Sequence, residues 1–496
     1  MNSILALPKN PHTRHQPEQT LLYQLVKQHY PEFAELMEAQ GKPLPGYVQK
    51  EFNAFLKCGR LEHGFLRVRC DTCHHEKLVA FSCKKRGFCP SCGARRMAES
   101  AALLVDDILP KEPIRQWVLS FPFQLRFLFA TYPNLMGAVL GIVYRTLSTH
   151  IINKAGFKKS QAQTGAVTLI QRFGSALNLN VHFHMLVLDG VYIEDEYGQL
   201  RFRQVTAPSK TELEQLVHKL SHRIACFLES KGLLERDIEN SWLTLNEEVD
   251  EALSQIHGSS ITYRIACGPN AGRKVFTLQT LPSSIRQPGE SDRVAKTAGF
   301  SLHAGVAAAR HQRDKLERLA RYISRPAVSE KRLSITANNK VRYELKTPYR
   351  DGTTHVFFEP LDFIARLAAL IPKPRVNLTR YHGVFAPNNK LRSQITPAKR
   401  GKFSESSQAS EATDDLNETK PLQAMTWMQR LKRVFNINIE NCEHCGGKLK
   451  VIACIDNPLI IQQILKHLEQ KNTNEAVATL PEGRAPPNQQ TRFLFS

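Results

Sequence analysis

The clearest pattern of hydrophobic and polar positions in the chain is the stretch Asn-Leu-Asn-Val-His-Phe-His-Met-Leu-Val-Leu-Asp-Gly at 178–190. Side chains alternate across a strand, so His182 and His184 point to one face, while Val181 and Phe183 point to the other. Apart from the two imidazoles both faces are apolar, which predicts a central strand that is buried on both sides. We expect the histidine pair at the polar end of this strand.

A second apolar run, 165–174, precedes the first, and a short Ser-Ala-Leu-Asn turn joins them. The two runs should form an antiparallel hairpin in which Gln171 lies beside the histidines. Two neutral imidazoles on one face can bind a divalent ion. Spacing alone is weak evidence, because 18 histidines in 496 residues give a His-x-His about 0.65 times by chance. The neighbouring motifs therefore have to decide between a metal site and two core histidines.

Helical and alternating spacings elsewhere predict an α+β fold with a mainly antiparallel sheet. Helices are expected at residues 18–42, 47–57, 99–109, 135–153, 209–235, 241–257, 311–323, 361–371, 427–435 and 458–469. Further strands are expected at residues 116–122, 259–266, 274–281, 299–306, 341–345 and 354–358.

These elements divide the chain into four predicted parts. A Cys-rich, zinc ribbon-like domain is expected at 18–105, and an antiparallel-sheet domain flanked by helices at 110–375. An extension and disordered linker should cover 376–421, because residues 401–420 carry almost no large apolar side chains. A small helical module with a Cys-x-x-Cys knuckle is expected at 422–475.

Charge adds a partner to this picture. Lys and Arg outnumber Asp and Glu by 67 to 46, which gives a net charge of +21 spread along an otherwise ordinary globular composition. A polyanionic partner follows, and the concentration of charge at 95–96, 308–325 and 397–402 favours nucleic acid over a membrane surface. We find no apolar run of about 18 residues and no signal peptide, so we expect a soluble, cytoplasmic protein with no membrane segment.

The cysteines form short-spaced pairs, which are typical of metal ligands in a protein from a reducing compartment. Cys70-x-x-Cys73 and Cys89-x-x-Cys92, separated by 15 residues, have the spacing of a structural zinc ribbon. Cys83 could replace one of these four, and Cys58 and His63 lie nearby. Four thiolates leave no open coordination position, so this Zn²⁺ should be structural.

Two further features bear on the zinc sites, one next to the second knuckle and one near the C-terminus. Arg95 and Arg96 follow the second knuckle, where they could contact DNA phosphates, although a ribbon that only braces the fold explains them equally well. Near the C-terminus, Cys442-x-x-Cys445 supplies only two thiolates. A second zinc ion there needs partners such as His444, Cys454 or His467.

A candidate nucleophile lies on a basic helix that begins near His311 and ends before Pro326. At about 100° per residue its buried stripe is Leu316, Leu319, Ala320 and Ile323, and its cationic side carries His311, Lys315, Arg318 and Arg325. Tyr322 lies with the cations, just off the apolar stripe. Cations favour the deprotonated phenol oxygen and bind phosphate, so Tyr322 is placed to attack a phosphodiester.

Together these motifs resemble the HUH (His-hydrophobe-His) single-strand endonucleases, and within them the rolling-circle insertion-sequence transposases of family ninety-one and their common-region relatives. The resemblance covers about 60 to 470 in order. It rests on the segments 81–96, 171–174, 178–190, 301–306, 319–326, 430–435 and 442–447, with 117–122 similar to the first strand motif of the wider superfamily.

The resemblance implies an HUH-type nuclease domain, preceded by a transposase zinc-binding domain and followed by a zinc-knuckle module. It implies that His182 and His184 bind a catalytic Mg²⁺ or Mn²⁺, with Gln171 as the first choice for third ligand and His303 behind it. Tyr322 would be the nucleophile. The positions four residues away are Arg318 and Pro326, so the sequence resembles the single-tyrosine kind.

The activity implied is nicking of single-stranded element ends, formation of a 5′-phosphotyrosine and rejoining at target DNA. Host helicase and replication proteins are implied as partners, because the chain has no Walker A motif. The candidates for contacts to single-stranded DNA are Arg95, Arg96, Arg172, Lys315, Arg318, Arg321 and Arg325.

Three other functions share part of this evidence. A plasmid replication initiator or conjugative relaxase would contain the same His-x-His and Tyr, but not the zinc ribbon before them and the knuckle after them. A non-catalytic zinc-containing DNA-binding regulator would bind duplex DNA tightly and form no covalent adduct. A zinc hydrolase is disfavoured, because no Asp or Glu accompanies the histidines locally.

Overall fold

The computed structural model describes residues 16–237, 241–244, 251–281, 293–398 and 440–478. Its helices are α1 (Leu21–Ala39), α2 (Gly46–Lys57), α3 (Pro90–Ala102), α4 (Phe123–Thr131), α5 (Leu135–Lys154), α6 (Lys210–Glu229), α7 (Glu251–Ile261), α8 (Arg313–Ile323), α9 (Pro360–Leu370), α10 (Arg392–Ile395) and α11 (Pro458–Ala478). A π-helical segment, Leu103–Ile108, continues α3, and short 3₁₀ helices cover Pro17–Gln19, Leu61–His63 and Glu330–Arg332.

The strands are β1 (Phe65–Cys70), β2 (Glu76–Ala80), β3 (Ile114–Ser120), β4 (Ala162–Gln163), β5 (Gly165–Phe173), β6 (Leu179–Leu188), β7 (Gly190–Glu194), β8 (Leu200–Gln204), β9 (Leu234–Arg236), β10 (Ser241–Leu243), β11 (Phe276–Gln279), β12 (Val294–Thr297), β13 (Phe300–Ala308), β14 (Leu333–Ile335), β15 (Val341–Glu344), β16 (Thr353–Phe358), β17 (Thr379–Gly383) and β18 (Leu449–Ile455). The predicted α+β class with antiparallel sheets is confirmed. The predicted helix at 427–435 lies outside the described residues.

The secondary structure after the start of α6 was predicted wrongly in two stretches. The helix expected at 209–235 ends at Glu229, and Leu234–Arg236 is β9. A helix was expected at 241–257 and a strand at 259–266, whereas 241–243 is β10 and α7 runs from Glu251 to Ile261. Leu253, Ile256 and His257 are buried at helical spacing along α7. This buried helical face outweighs the β-propensity of the Ile-Thr-Tyr run that follows residue 260.

The chain forms two compact units, each assembled from distant segments. The larger unit contains Glu18–Leu56 and Cys83–Glu440, and the smaller contains Met1–Pro17, Lys57–Ser82 and Asn441–Ser496. This differs from the four contiguous domains predicted, because the Cys-rich region is split and the C-terminal module joins part of it. In the smaller unit β18 pairs antiparallel with β1, which also pairs with β2.

A six-stranded antiparallel sheet forms the centre of the larger unit, in the order β12-β13-β3-β6-β5-β17. The histidine strand β6 is flanked on both sides, as predicted, by β3 and β5. The edge strand β17 lies within 376–421, which we had assigned to an extension and linker. It pairs with β5, so the beginning of that region belongs to the six-stranded sheet.

The two faces of this sheet are covered by different helices. Leu186 and Leu188 of β6 belong to one core cluster together with Leu316, Ala320 and Ile323 of α8. These leucines share the face of His182 and His184, so α8 packs on the histidine face. On the other side, the ring of Phe183 lies 4.9 Å from that of Phe121, which lies 5.0 Å from the ring of Phe129 on α4.

One described helix, α5, is long and apolar enough by length and composition to cross a membrane, which differs from the sequence expectation. Length and composition do not separate such a helix from one in a protein core. In this structure Lys154, at the end of α5, forms an ion pair of 2.6 Å with Glu212 of α6.

Candidate active site and zinc centres

The two histidines of β6 are buried side by side on one face of the central sheet. Their ring centroids lie 4.8 Å apart, with an angle of 64° between the ring planes. Burial lowers the pKa of His182 to about 4 and that of His184 to about 3. Both imidazoles are therefore neutral near pH 7, which is the form that binds a metal ion.

Hydrogen bonds at Nδ1 orient both rings. His182 Nδ1 lies 2.8 Å from the carbonyl oxygen of Asn180, which can only accept, so Nδ1 donates and Nε2 keeps its lone pair. His184 Nδ1 lies 2.8 Å from Gln116 Nε2. In this amide orientation Nδ1 accepts and Nε2 carries the proton, so metal binding at Nε2 requires the Gln116 amide to turn and accept from Nδ1 through Oε1. His184 Nε2 is buried without a hydrogen-bond partner among the described residues. With the Gln116 amide turned in this way, the Nε2 atoms of both histidines can bind a metal ion.

The sheet register separates the two candidates for a third ligand. Gln171 of β5 lies directly opposite His182, at the distance of one strand spacing. His303 of β13 is paired with Val118, which in turn is paired with His184, so it lies two strand spacings, about 10 Å, away. Gln171 Nε2 donates to the carbonyl oxygen of Ile323 at 3.0 Å, which leaves its Oε1 for a metal. The register therefore favours Gln171 over His303 as the third metal ligand. Binding of a metal by Gln171 stays a prediction.

Tyr322 lies at the C-terminal turn of α8, one residue before the carbonyl group that Gln171 binds. Its side chain is 42% exposed, which suits a nucleophile that must reach a polymer substrate. The Arg325 guanidinium lies 4.3 Å from the centroid of the Tyr322 ring, and Lys346 Nζ lies 4.5 Å from it. The charge of Arg325 also lowers the pKa of both histidines, after the larger effect of burial. Tyr322, Arg325 and the histidine face therefore belong to one neighbourhood.

Arg126 and Phe123 are, like Lys346 and Gln116, residues of this neighbourhood that were missed from the sequence. Arg126 of α4 donates to the carbonyl of Phe121 at 2.7 Å, and its charge contributes to the lowered pKa of His182. Its guanidinium lies 4.8 Å from the centroid of the Phe123 ring, which is half-exposed. The available signal was Phe123, an aromatic residue three positions after the end of β3, the strand beside the histidine strand.

The predicted DNA contacts divide into exposed and buried residues. Lys315 and Arg318 are exposed on α8, while Arg321, Arg95 and Arg96 are partly exposed.

Arg172 was assigned wrongly to the DNA surface. Its side chain is buried and donates to the carbonyl oxygen of Ala369 at 3.3 Å, and burial lowers its pKa to about 10. Side chains alternate along β5, so the residue after Gln171 points away from the histidine face.

The predicted zinc set, Cys70, Cys73, Cys89 and Cys92, is corrected, because these residues belong to two separate clusters. In the smaller unit Cys70 and Cys73 meet Cys442 and Cys445, with all four Sγ atoms within 4.8 Å of one another. The Sγ atoms of Cys70 and Cys445 are 3.5 Å apart, as are those of Cys73 and Cys442. A tetrahedron with Zn–S bonds of about 2.3 Å has edges of about 3.8 Å, so these thiols fit a zinc ion.

Both knuckles of this cluster have the same backbone turn. His74 and Gly446, the residues that follow the second cysteine of each pair, have positive φ angles of 58° and 73°. Each donates its N–H to the carbonyl of the first cysteine, over 3.1 Å from His74 and 2.9 Å from Gly446. Backbone N–H groups also approach the sulfur atoms, and those of Cys73 and Thr72 lower the pKa of Cys70 to about 6. The terminal knuckle thus finds its partners in Cys70 and Cys73, and not in His444, Cys454 or His467.

A second thiol cluster includes Cys83, Cys89 and Cys92 in the larger unit. The Sγ atoms of Cys83 and Cys92 are 3.4 Å apart, and Cys89 is the N-cap residue of α3. Cys83, which the sequence offered as a replacement for one of the four predicted zinc ligands, thus belongs to this cluster. Cys58, which the sequence brings near these residues, stays our candidate for a fourth ligand.

Two family models match the chain. The model described as "Putative transposase" matches residues 165–393, which include the histidine strand, α8 and the edge strand β17. The model described as "Transposase zinc-binding domain" of insertion-sequence family ninety-one matches residues 25–121. The chain belongs to the transposases of this family. No curated protein and no solved structure matches it significantly.

The transposase is therefore a nucleic-acid-processing enzyme, and its zinc-binding domain and thiol clusters support binding of Zn²⁺. Cys442 and Cys445 lie beyond both matched ranges, although they complete the cluster that begins with Cys70 and Cys73.

Proposed function

We propose that the transposase nicks single-stranded DNA at element ends by attack of Tyr322 on a phosphodiester and rejoins the captured end to target DNA in a rolling-circle reaction. The observation that carries this proposal is the shared neighbourhood of three groups on one sheet face. Buried His182 and His184 lie there, the Nε2 atom of His184 has no hydrogen-bond partner among the described residues, and Tyr322 is exposed at the end of the helix that packs on that face.

In the first step Tyr322 Oη forms a bond to the scissile phosphorus as the bond from phosphorus to the 3′-oxygen breaks. The phenol loses its proton, and the departing 3′-oxygen takes one up, so that a 5′-phosphotyrosine and a free 3′-hydroxyl result. No water is consumed, and the energy of the phosphodiester is kept in the new ester. Reversal with another 3′-hydroxyl rejoins the captured end.

His182 and His184 would hold the divalent ion through Nε2, and Gln171 Oε1 is the proposed third ligand. When bound, Mg²⁺ or Mn²⁺ would polarise the phosphate and stabilise the charge that develops on its oxygens. An imidazole pair also accepts Zn²⁺ or Co²⁺, so the metal preference has to be measured. Arg325 would neutralise part of the phosphate charge next to Tyr322.

The test is incubation of the protein with labelled single-stranded DNA from an element end, with Mn²⁺ or with chelator, followed by a denaturing gel. We expect a covalent adduct that requires metal and is lost in Tyr322→Phe and His184→Ala. Tyr343→Phe is the matched control, because this tyrosine is buried beneath Arg332. A second oligonucleotide with a free 3′-hydroxyl should then be joined to the captured strand.

Each outcome separates a different function. Tight duplex binding without an adduct under any metal would favour the non-catalytic regulator. An adduct that survives Tyr322→Phe would keep the chemistry and disprove the choice of nucleophile. An adduct that cannot be rejoined to an acceptor strand would argue against a transposase that completes strand transfer by itself.

A further inference from the structure

A cleft lies beside Tyr322 in the larger unit. It is bounded by residues 85–100, called here the zinc-binding segment, and by the end of the six-stranded sheet that contains His182 and His184. Its volume is about 130 Å³, and its walls come from residues 85–100, the end of β5 and residues 323–327. Gln171, which faces His182 across the sheet, lines the same cleft. The cleft therefore continues directly from the proposed active site.

The lining of this cleft is strongly basic. Lys85, Arg86 and Arg96 come from the zinc-binding segment, Arg325 comes from the turn after α8, and none of the lining residues is acidic. Arg172 also lines the cleft, but its guanidinium is buried against α9. Four partly exposed cations around one small space favour a ligand with several negative charges.

Arg86 and Arg96 donate hydrogen bonds to backbone carbonyl groups. These acceptors carry no negative charge, so they do not neutralise the two guanidinium groups. Arg96 Nη2 donates to the carbonyl of Lys85 at 3.1 Å, and Arg86 Nη1 donates to that of Val376 at 2.6 Å. Glu51 is also close, because it accepts a hydrogen bond from the backbone of Gly87 and interacts with the charges of Lys85, Arg86 and Arg96. Burial raises the pKa of Glu51, and these three cations oppose that rise. One carboxyl group cannot balance four cations, so the cleft stays basic.

Two glycines fix the position of the basic wall. A Cβ atom on Gly93 would lie 2.9 Å from the Cβ of Pro326, and one on Gly87 would lie 2.9 Å from Ile371 Cγ1. The backbone of the zinc-binding segment thus touches the turn after Tyr322 and the end of α9. Cations on a wall held this closely are preorganised for a ligand.

One polar group at this site also lacks a partner. Ser324, two residues after Tyr322, lines the cleft, and its hydroxyl oxygen is shielded from solvent without a hydrogen-bond partner among the described residues. A hydroxyl donor beside cations suits a phosphate oxygen.

We propose that this cleft binds the phosphate backbone of the single strand whose scissile phosphate lies at Tyr322. The inference rests on the proposed function, and it makes residues 85–96 of the zinc-binding domain part of the substrate site. Arg86 and Arg96 would each bind a phosphate through two N–H groups, while Lys85 would act as a point charge. Because the contacts are to phosphates, they hold the strand without reading its sequence.

The experiment measures binding of a fluorescent single-stranded oligonucleotide to Tyr322→Phe protein without divalent metal, between 50 and 300 mM salt. Each phosphate contact contributes about 0.7 to the slope of log affinity against log salt. In this background we expect Lys85→Gln to reduce the slope by about 0.7, and Lys85→Gln with Arg96→Gln to reduce it by about 1.4. Arg96 also holds the loop carbonyls, so Lys85→Gln is the primary variant.

One neighbour is a matched control. Lys84→Gln removes the same charge, but Lys84 is exposed and does not line the cleft. This variant should leave the slope unchanged, and equal thermal unfolding should show that all the variants are folded. If Lys84→Gln and Lys85→Gln lowered the slope equally, the effect would be general electrostatics and the cleft assignment would fail.

Adduct formation by the wild-type protein separates this inference from the proposed function. An adduct combined with unchanged slopes would overturn the cleft and leave the nuclease standing. Selective slope changes without any adduct would support the cleft as a phosphate site and reject the tyrosine chemistry.

Discussion

At the scale of single residues, the candidate metal site depends on groups that are not ligands themselves. Gln116, buried on β3, lies 2.8 Å from His184 Nδ1. Such partners orient an imidazole and set its tautomer, and their loss typically weakens metal binding 10–100-fold. Neither histidine partner was visible from the sequence, because both depend on strand register and side-chain packing.

Gln116→Leu should therefore raise the Mn²⁺ concentration needed for half-maximal adduct formation by about 10–100-fold, while saturating Mn²⁺ restores most of the activity. The measurement is a Mn²⁺ titration of the adduct assay. Gln199→Leu, at an exposed position, is the control and should behave like wild type. An unchanged midpoint for Gln116→Leu would show that this hydrogen bond does not support the metal.

Arg172 gives a second prediction at this scale. Arg172→Ala should lower the free energy of unfolding by about 1–3 kcal/mol, because the carbonyl of Ala369 at the end of α9 loses its buried donor. Binding of single-stranded DNA should change less than twofold. Urea unfolding measures the change in stability, and fluorescence anisotropy of a labelled oligonucleotide measures DNA binding. A variant with normal stability but weakened DNA binding would restore the assignment that we made from the sequence.

At the scale of elements, α8 shows how far amphipathic analysis reaches. Leu316, Ala320 and Ile323 are buried as predicted, and Tyr322 is exposed. Leu319 is only partly buried, and Glu317 is buried in its place. Helical periodicity finds the face of a helix, whereas its edges depend on the neighbouring helices.

The strand β18 provides the element-scale prediction. Residues 441–455 are held in the smaller unit by pairing with β1 and, we propose, by zinc on Cys70, Cys73, Cys442 and Cys445. After cleavage at a protease site introduced within 401–420, the two fragments should stay together on gel filtration. Chelation of zinc should separate them, because strand pairing alone is weak in a small sheet.

Cys445→Ser should release the C-terminal fragment even with zinc present, whereas Cys454→Ser should not. Cys454 is exposed on β18 and lies outside the cluster of Cys70, Cys73, Cys442 and Cys445. Zinc analysis should show the loss of one ion in Cys445→Ser. Fragments that stay together after chelation would mean that packing, and not metal, closes this unit.

At the scale of the whole molecule, buried neutral histidines connect stability to pH. Burial lowers the pKa of His257 to about 3 and that of His382 to about 4, against about 6.5 in an unfolded chain. As the pH falls below 6.5 the unfolded state takes up protons that the folded state does not. The stabilisation is therefore complete above pH 6.5 and declines as the pH falls toward 4.

Each such histidine should contribute about 1.4 kcal/mol of lost stability per pH unit in this range. His257→Leu should reduce the slope of unfolding free energy against pH by one proton, measured by urea unfolding of metal-free protein between pH 7 and 5. His311→Leu, at an exposed position, is the control. An unchanged slope in His257→Leu would show that folding does not lower the pKa of His257.

The sequence by itself determined the features that belong to contiguous segments. The strand with His182 and His184, its hairpin with Gln171, the exposure of Tyr322 and the local cysteine pairs all follow from periodicity and short spacing. These features were enough to indicate the family. Segment-level signals are reliable here because secondary structure and the local turns of metal knuckles are decided within a few residues.

Only the tertiary structure decided which segments meet. Strand pairing joins β18 to β1, so knuckles far apart in the chain share one cluster. The sheet register placed Gln171 nearer the histidines than His303, and the packing of Gly93 against Pro326 brought the basic wall to the tyrosine. Such contacts depend on complementary shapes between distant segments, and no local pattern in the chain encodes them.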